Sequence, residues 1–114
     1  MDPSSAIMLA VGALVAAILI FIGIKQFRSV TPVAFYTGEE PPAEKLLKDV
    51  RAWNHGHGSL WIGYGVVIIV CYLLAVFWAV DSLVKTLLMF CGTIFPVFLL
   101  VLGHRYLVRR YMIW

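Results

Sequence analysis

The sequence predicts an all-α membrane protein, with three transmembrane helices and a short cytoplasmic amphipathic helix between spans one and two. Two observations carry this. Of 114 residues, 62% are hydrophobic and only 13% charged, where a soluble domain is nearer half apolar and roughly a quarter charged. The apolar residues also gather into three charge-free blocks, 6–24, 60–80 and 86–103. Each is close to the ~20 residues that cross a ~30 Å hydrocarbon core as a helix. A lone strand in lipid leaves its backbone groups unsatisfied, and a soluble chain this short cannot cover three all-apolar helices. The expected organisation is one membrane domain, 1–114, with spans at about 6–24, 60–80 and 83–103 and a cytoplasmic loop at 25–59.

The first block reads as a retained span rather than a cleaved signal. No Lys or Arg precedes it, and Lys25 and Arg28 follow it, the reverse of a secretory signal. Ala6, Ala10, Ala13, Ala16 and Ala17, with Gly12 nearby, recur at helical spacing. Small residues let helices approach closely in lipid, so these suggest a packed face.

Loop charges set the expected orientation. Lys25, Arg28, Lys45, Lys48 and Arg51 lie between spans one and two, and Arg105, Arg109 and Arg110 follow span three. Three spans put both groups on one side, which the positive-inside rule makes cytoplasmic. The N-terminus is then outside and the C-terminus inside, in a bacterial inner membrane. A net charge of +3 is explained by topology and anionic lipid, without nucleic acid, which calls for a clustered basic face.

Within the loop, Thr31-Pro32 and Gly38-Glu39-Glu40-Pro41-Pro42 are breakers. A helix is expected from the prolines onward. Leu46, Leu47, Val50 and Trp53 form its apolar stripe, and Glu44–Lys48 and Lys45–Asp49 are favourable i,i+4 pairs. This segment is expected at the cytoplasmic interface or packed on the protein's own helices. Spans two and three meet at Val80-Asp81-Ser82 and are therefore antiparallel neighbours, with Asp81 or Ser82 capping span three. Pro96 should kink span three. The tail, RYLVRRYMIW, has the Arg, Tyr and Trp of an interfacial anchor.

Ionisable residues deep in a span mark functional sites, and none occurs here. Lys85 and His104 sit near span ends, where snorkelling suffices. Tyr64, Tyr72, Thr86 and Thr93 could line a polar path or bond a neighbouring backbone. Cys71 and Cys91 read as unpaired apolar thiols, with no CxxC motif. No nucleophile–base pair, paired catalytic carboxylates or phosphate loop is recognisable, so no enzyme activity or cofactor is expected.

The stretch RAWNHGHGSLWIGYG, residues 51–65, concentrates the unusual residues. His55 and His57, with His104 from the same face, could bind Zn or Cu. Histidines two apart on a helix diverge by about 200°, so both reach one ion only if Gly56 and Gly58 break the helix. The alternative is a helix-packing or partner seam. Val50, Asn54, His57, Trp61 and Tyr64 fall on one side of a helix continuing into span two, with Gly58 and Gly65 close by. Asn54 and His57 could bond another helix, and the glycines could let one approach. Trp53 and Trp61 bracket the boundary, as in an aromatic belt.

The runs FYTGEEPP and DVRAWNHGHGSLWIGYG resemble uncharacterised small three-span membrane proteins of anaerobic Firmicutes. The shared features are an aromatic pair before an acidic, proline-containing loop, then Asp-Val, an aromatic-Asn pair and a Gly-x-Leu-Trp entry into span two. Here these are Phe35, Tyr36, Asp49, Val50, Trp53, Asn54, Gly58, Leu60 and Trp61. The resemblance covers about 33–66 and implies fold and location; no activity is assigned to that family. A looser likeness to bacteriocin-immunity-type membrane proteins rests on size and span count. The expected function is association with itself, a membrane partner or lipid. The alternatives are an oligomeric channel or small-solute transporter, and a metal-binding membrane protein using the histidines.

Overall fold

The computed structural model describes residues 2–35, 40–78 and 81–113. Among them are three long helices, α1 (Pro3–Phe27), α2 (Val50–Phe77) and α3 (Ser82–Tyr111). Each is long and apolar enough to cross a membrane, making this a multi-pass membrane chain. Tyr36, Thr37, Gly38 and Glu39 of the expected loop, Val80 of the expected turn, and Trp114 of the tail lie outside the described residues.

Each helix begins at an aspartate. The Asp2 carboxylate accepts from the Ser5 N–H at 2.7 Å, which holds its pKa below the ordinary value. Asp49 accepts from Ala52 N–H at 3.1 Å, and Asp81 from Leu83 N–H at 2.8 Å. Such caps satisfy donors that have no intrahelical partner. For span three, Asp81 rather than Ser82 is the cap. Asp49→Ala should cost about 1 kcal/mol of stability; a thermal unfolding scan in detergent checks it, and an unchanged transition counts against the cap.

The helices outrun the apolar blocks. α3, at 30 residues, is about 45 Å long, half as long again as a ~30 Å hydrocarbon core. The early turns of α2 and the last turns of α3 therefore project from the apolar layer. α1 ends, α2 begins and α3 ends at the same end of the molecule. Every Lys and Arg except Lys85 lies at this end.

The expected amphipathic helix is replaced by a single 3-10 turn, Glu44–Leu46. The backbone reason is visible. Lys48 N–H donates to Tyr111 C=O at 2.6 Å, and Ile113 N–H to Leu46 C=O at 2.7 Å. Leu47 and Met112 form an antiparallel bridge. The linker's backbone groups thus pair with the end of α3, while Asp49 turns its carboxylate to capping α2. The expected pairs Glu44–Lys48 and Lys45–Asp49 therefore share no helix. Of the apolar stripe only Leu46 is exposed, and the rest packs on the protein's own helices. Leu47, Trp53 and Leu107 form a buried cluster, with Val50 packed against it.

Helix α2 packs against α1 on one side and α3 on the other. The face α1 offers is Ser5, Gly12, Ala16 and Gly23. Of the alanines expected there, Ala16 is buried, but Ala6, Ala10, Ala13 and Ala17 face outward. Gly23 and Gly58 meet backbone to backbone, and a Cβ on either would stand 2.6 Å from the other's carbonyl oxygen. At the opposite end, Lys85 Nζ donates to the Ser5 hydroxyl at 3.4 Å. Helix α3 is unbroken at Pro96, which is buried. Proline removes the helical hydrogen bond to the Gly92 carbonyl; the adjacent Thr93 carbonyl accepts from the Tyr64 hydroxyl at 2.6 Å.

Candidate functional site

The unusual residues of the 51–65 stretch meet at the basic end of the bundle. Gly56 and Gly58 do not break the helix, so α2 runs through them, and successive side chains there fan out to different neighbours.

Asn54 is fully buried. Its Oδ1 accepts from Val33 N–H at 3.1 Å. Its Nδ2 donates to the Ser29 carbonyl at 3.0 Å and the Thr31 carbonyl at 2.9 Å. The two tryptophans act on the same loop. Trp53 Nε1 donates to the Val33 carbonyl at 2.9 Å and Trp61 Nε1 to the Phe35 carbonyl at 3.0 Å. Within the segment the Ser29 hydroxyl donates to the Thr31 carbonyl at 2.9 Å and accepts from the Thr31 N–H at 3.3 Å, and three side chains of α2 supply the further partners. Buried backbone polar groups need such partners. Gln26, from the last turn of α1, adds a bond from Nε2 to the Ala34 carbonyl at 3.0 Å.

His57 points the other way, to α3. Its Nδ1 lies 3.0 Å from the Trp53 carbonyl and its Nε2 lies 2.9 Å from His104 Nδ1. A carbonyl only accepts, so His57 Nδ1 donates; in the neutral ring Nε2 then accepts, and His104 Nδ1 is the donor. Aromatic rings enclose the pair. Phe35 stacks on His104 at 4.2 Å and Trp53 lies 4.3 Å from His57, centroid to centroid.

His55 is not brought to this pair. Its ring lies flat on Phe27, centroids 3.9 Å apart and planes 2° apart. Two tetrahedral zinc ligands at about 2.0–2.1 Å each are separated by roughly 3.3 Å. The 2.9 Å His57–His104 contact is thus the spacing of a hydrogen bond. Among the described residues, no group of three or more His, Cys, Asp or Glu is gathered as a metal site would need.

The remaining seam residues pack inside the monomer. Gly58 meets Gly23 and Phe27 of α1, and Gly65 meets Ala16 and Ile20. Tyr64 bonds α3, as above. The other hydroxyls are also engaged. Thr93 donates to the Met89 carbonyl at 2.8 Å, Tyr72 and Thr93 lie 3.4 Å apart, and Thr86 donates to the Ser82 carbonyl at 2.9 Å. Cys71 and Cys91 are free thiols.

Two features escape a reading of the 51–65 stretch as one seam. Loop residues 29–35 act through backbone carbonyls and amides, which side-chain identity does not reveal. Ser59 and Gly63 form a second cluster on α2, at the rim of its contact with α3. Both are exposed, and a Cβ on Gly63 would meet nothing within 4 Å. Their signal was available: two small residues four apart in a span. Beside them a cavity of about 190 Å³ opens between α2 and α3, lined by Ser59, Leu60, Gly63, Tyr64, Pro96 and Leu100 among others.

No family model, curated protein or solved structure matches this chain. By length and composition, the three long apolar helices among the described residues are those of a small three-span membrane protein.

Proposed function

We propose that this chain is a small integral membrane protein that works by association with a second membrane helix, without catalysis. Its own copy is the first partner to test. The observation that carries this reading is the open Ser59–Gly63 face. The other described glycines each face a close neighbour, but Gly63 faces open space. Small residues four apart on an exposed helix face admit a partner backbone to close range. The conspicuous groups Trp53, Asn54, His57 and Trp61 serve the chain's own junction, which leaves association to the outer faces. A channel has less support, because Tyr64, Tyr72, Thr86 and Thr93 all hold bonds within the monomer. The one-sided basic charge supports a cytoplasmic C-terminus and an outside N-terminus in the inner membrane.

The test is native mass spectrometry of the protein released from nanodiscs. The wild type should give a defined oligomer, and Gly63→Leu should give monomer with unchanged helicity. A wild type that is already monomeric would overturn self-association.

A further inference from the structure

A cavity of about 590 Å³ lies where α1 ends and α2 begins, lined by Phe27, Arg28, Ser29, Val30, Val50, Arg51 and His55. Its volume is within the roughly 300–1,000 Å³ of small-molecule clefts. We propose that this cavity binds the phosphate-bearing headgroup of an anionic lipid.

Charge comes first. Arg28 is the C-cap of α1, and Arg51 is the second residue of α2. Among the described residues neither guanidinium pairs with a carboxylate. The acid nearest in sequence, Asp49, accepts from the Ala52 N–H and does not line the cavity. Two arginines converging on one space match a phosphate, which takes paired N–H donors from each fork. His55 adds a ring nitrogen donor, and its ring is held in place by stacking on Phe27.

Position and apolar surface then select a lipid over a soluble anion. The cavity sits at the level where α1 leaves its charge-free block. Val30 in its lining is 89% exposed. Phe21 and Ile24, seven and four residues before Arg28, are also exposed and lie on the same face of α1. A headgroup held by Arg28 and Arg51 would therefore lay its acyl chain along that apolar strip. A free phosphate has no use for it. The inference takes the membrane placement from the reading above and stands whether or not the chain self-associates.

The experiment uses the full chain in nanodiscs of phosphatidylcholine containing phosphatidylglycerol, with native mass spectrometry on release. The wild type should retain one phosphatidylglycerol per chain. R28Q/R51Q should retain at least about tenfold less, because the cavity loses both charged forks that would hydrogen-bond the phosphate directly. K45Q/K48Q removes the same charge from the same end of the molecule, outside the cavity and without a direct contact to the phosphate, and should stay within about twofold of wild type in physiological salt. Val30→Asp puts an anion at the mouth without touching the packed core, and should also release the lipid. Full retention by R28Q/R51Q would overturn the proposal. So would an equal loss from K45Q/K48Q, the mark of diffuse attraction, or displacement of the lipid by millimolar inorganic phosphate. The same spectra report subunit number, so loss of lipid and loss of association are read separately.

Discussion

Asn54→Leu should lower stability by about 3 kcal/mol and release residues 29–33 from the end of the bundle. Asn54 is fully buried and its amide makes three bonds to the loop, with Val33 N–H and with the Ser29 and Thr31 carbonyls. Leucine matches its bulk but offers neither donor nor acceptor. The Thr31 carbonyl keeps its bond from the Ser29 hydroxyl, but the Val33 N–H and the Ser29 carbonyl are left unpaired, at about 1–3 kcal/mol each. Asn54→Asp separates the two halves of the amide. It keeps the acceptor for Val33 and loses both donors, placing an acid beside two carbonyls. It should be no better than leucine. Hydrogen exchange at the Val33 amide and unfolding in mixed micelles measure both effects. Native protection of Val33 in Asn54→Leu would show that the loop holds itself.

Gly58→Leu should be comparably damaging, by about 3 kcal/mol, through overpacking rather than lost bonds. A Cβ at Gly58 would lie 2.6 Å from the Gly23 carbonyl oxygen and 2.7 Å from the Phe27 amide nitrogen. Both obstacles are backbone, so no side chain can swing aside, and α1 itself must move. Gly63→Leu is the internal comparison, with the same substitution on the same helix. It meets open space and should change monomer stability by less than about 0.5 kcal/mol, while abolishing association. The unfolding midpoints of the two variants in mixed micelles decide this. Equal midpoints would mean that the Gly23–Gly58 approach does not hold α1 to α2.

Part of this architecture is legible before any coordinates. Charge-free blocks of bilayer length locate three helices, because lipid leaves the backbone no other way to satisfy itself. Asp2, Asp49 and Asp81 each stand where a short polar side chain can take up orphan amides, although only Asp81 is an obvious cap at a span boundary. The 43–53 segment shows where local pattern fails. Its apolar spacing and charge pairs favour a helix, yet isolated short helices are marginal. Pairing with Tyr111 and Ile113, more than sixty residues away in the chain, decides its backbone instead.

The candidate site divides in the same way. The residue types of 51–65 mark it as unusual, and the divergence of His55 from His57 follows from helix geometry alone. What each side chain meets does not follow. Asn54 and both tryptophans bond backbone groups, which every residue possesses and no sequence pattern distinguishes. His57 meets His104 because α3 returns antiparallel in the right register. Gly58 and Gly63 are alike in sequence and opposite in circumstance, one pressed against Gly23 and the other open. By itself the sequence determined the number of spans, their order and the gathering of positive charge at one end. These depend on composition along the chain and on the bilayer as solvent. The tertiary structure alone decided which polar groups are satisfied within the monomer and which faces remain for a partner, because such pairings depend on helix rotation and register, set by contacts between residues far apart in the chain.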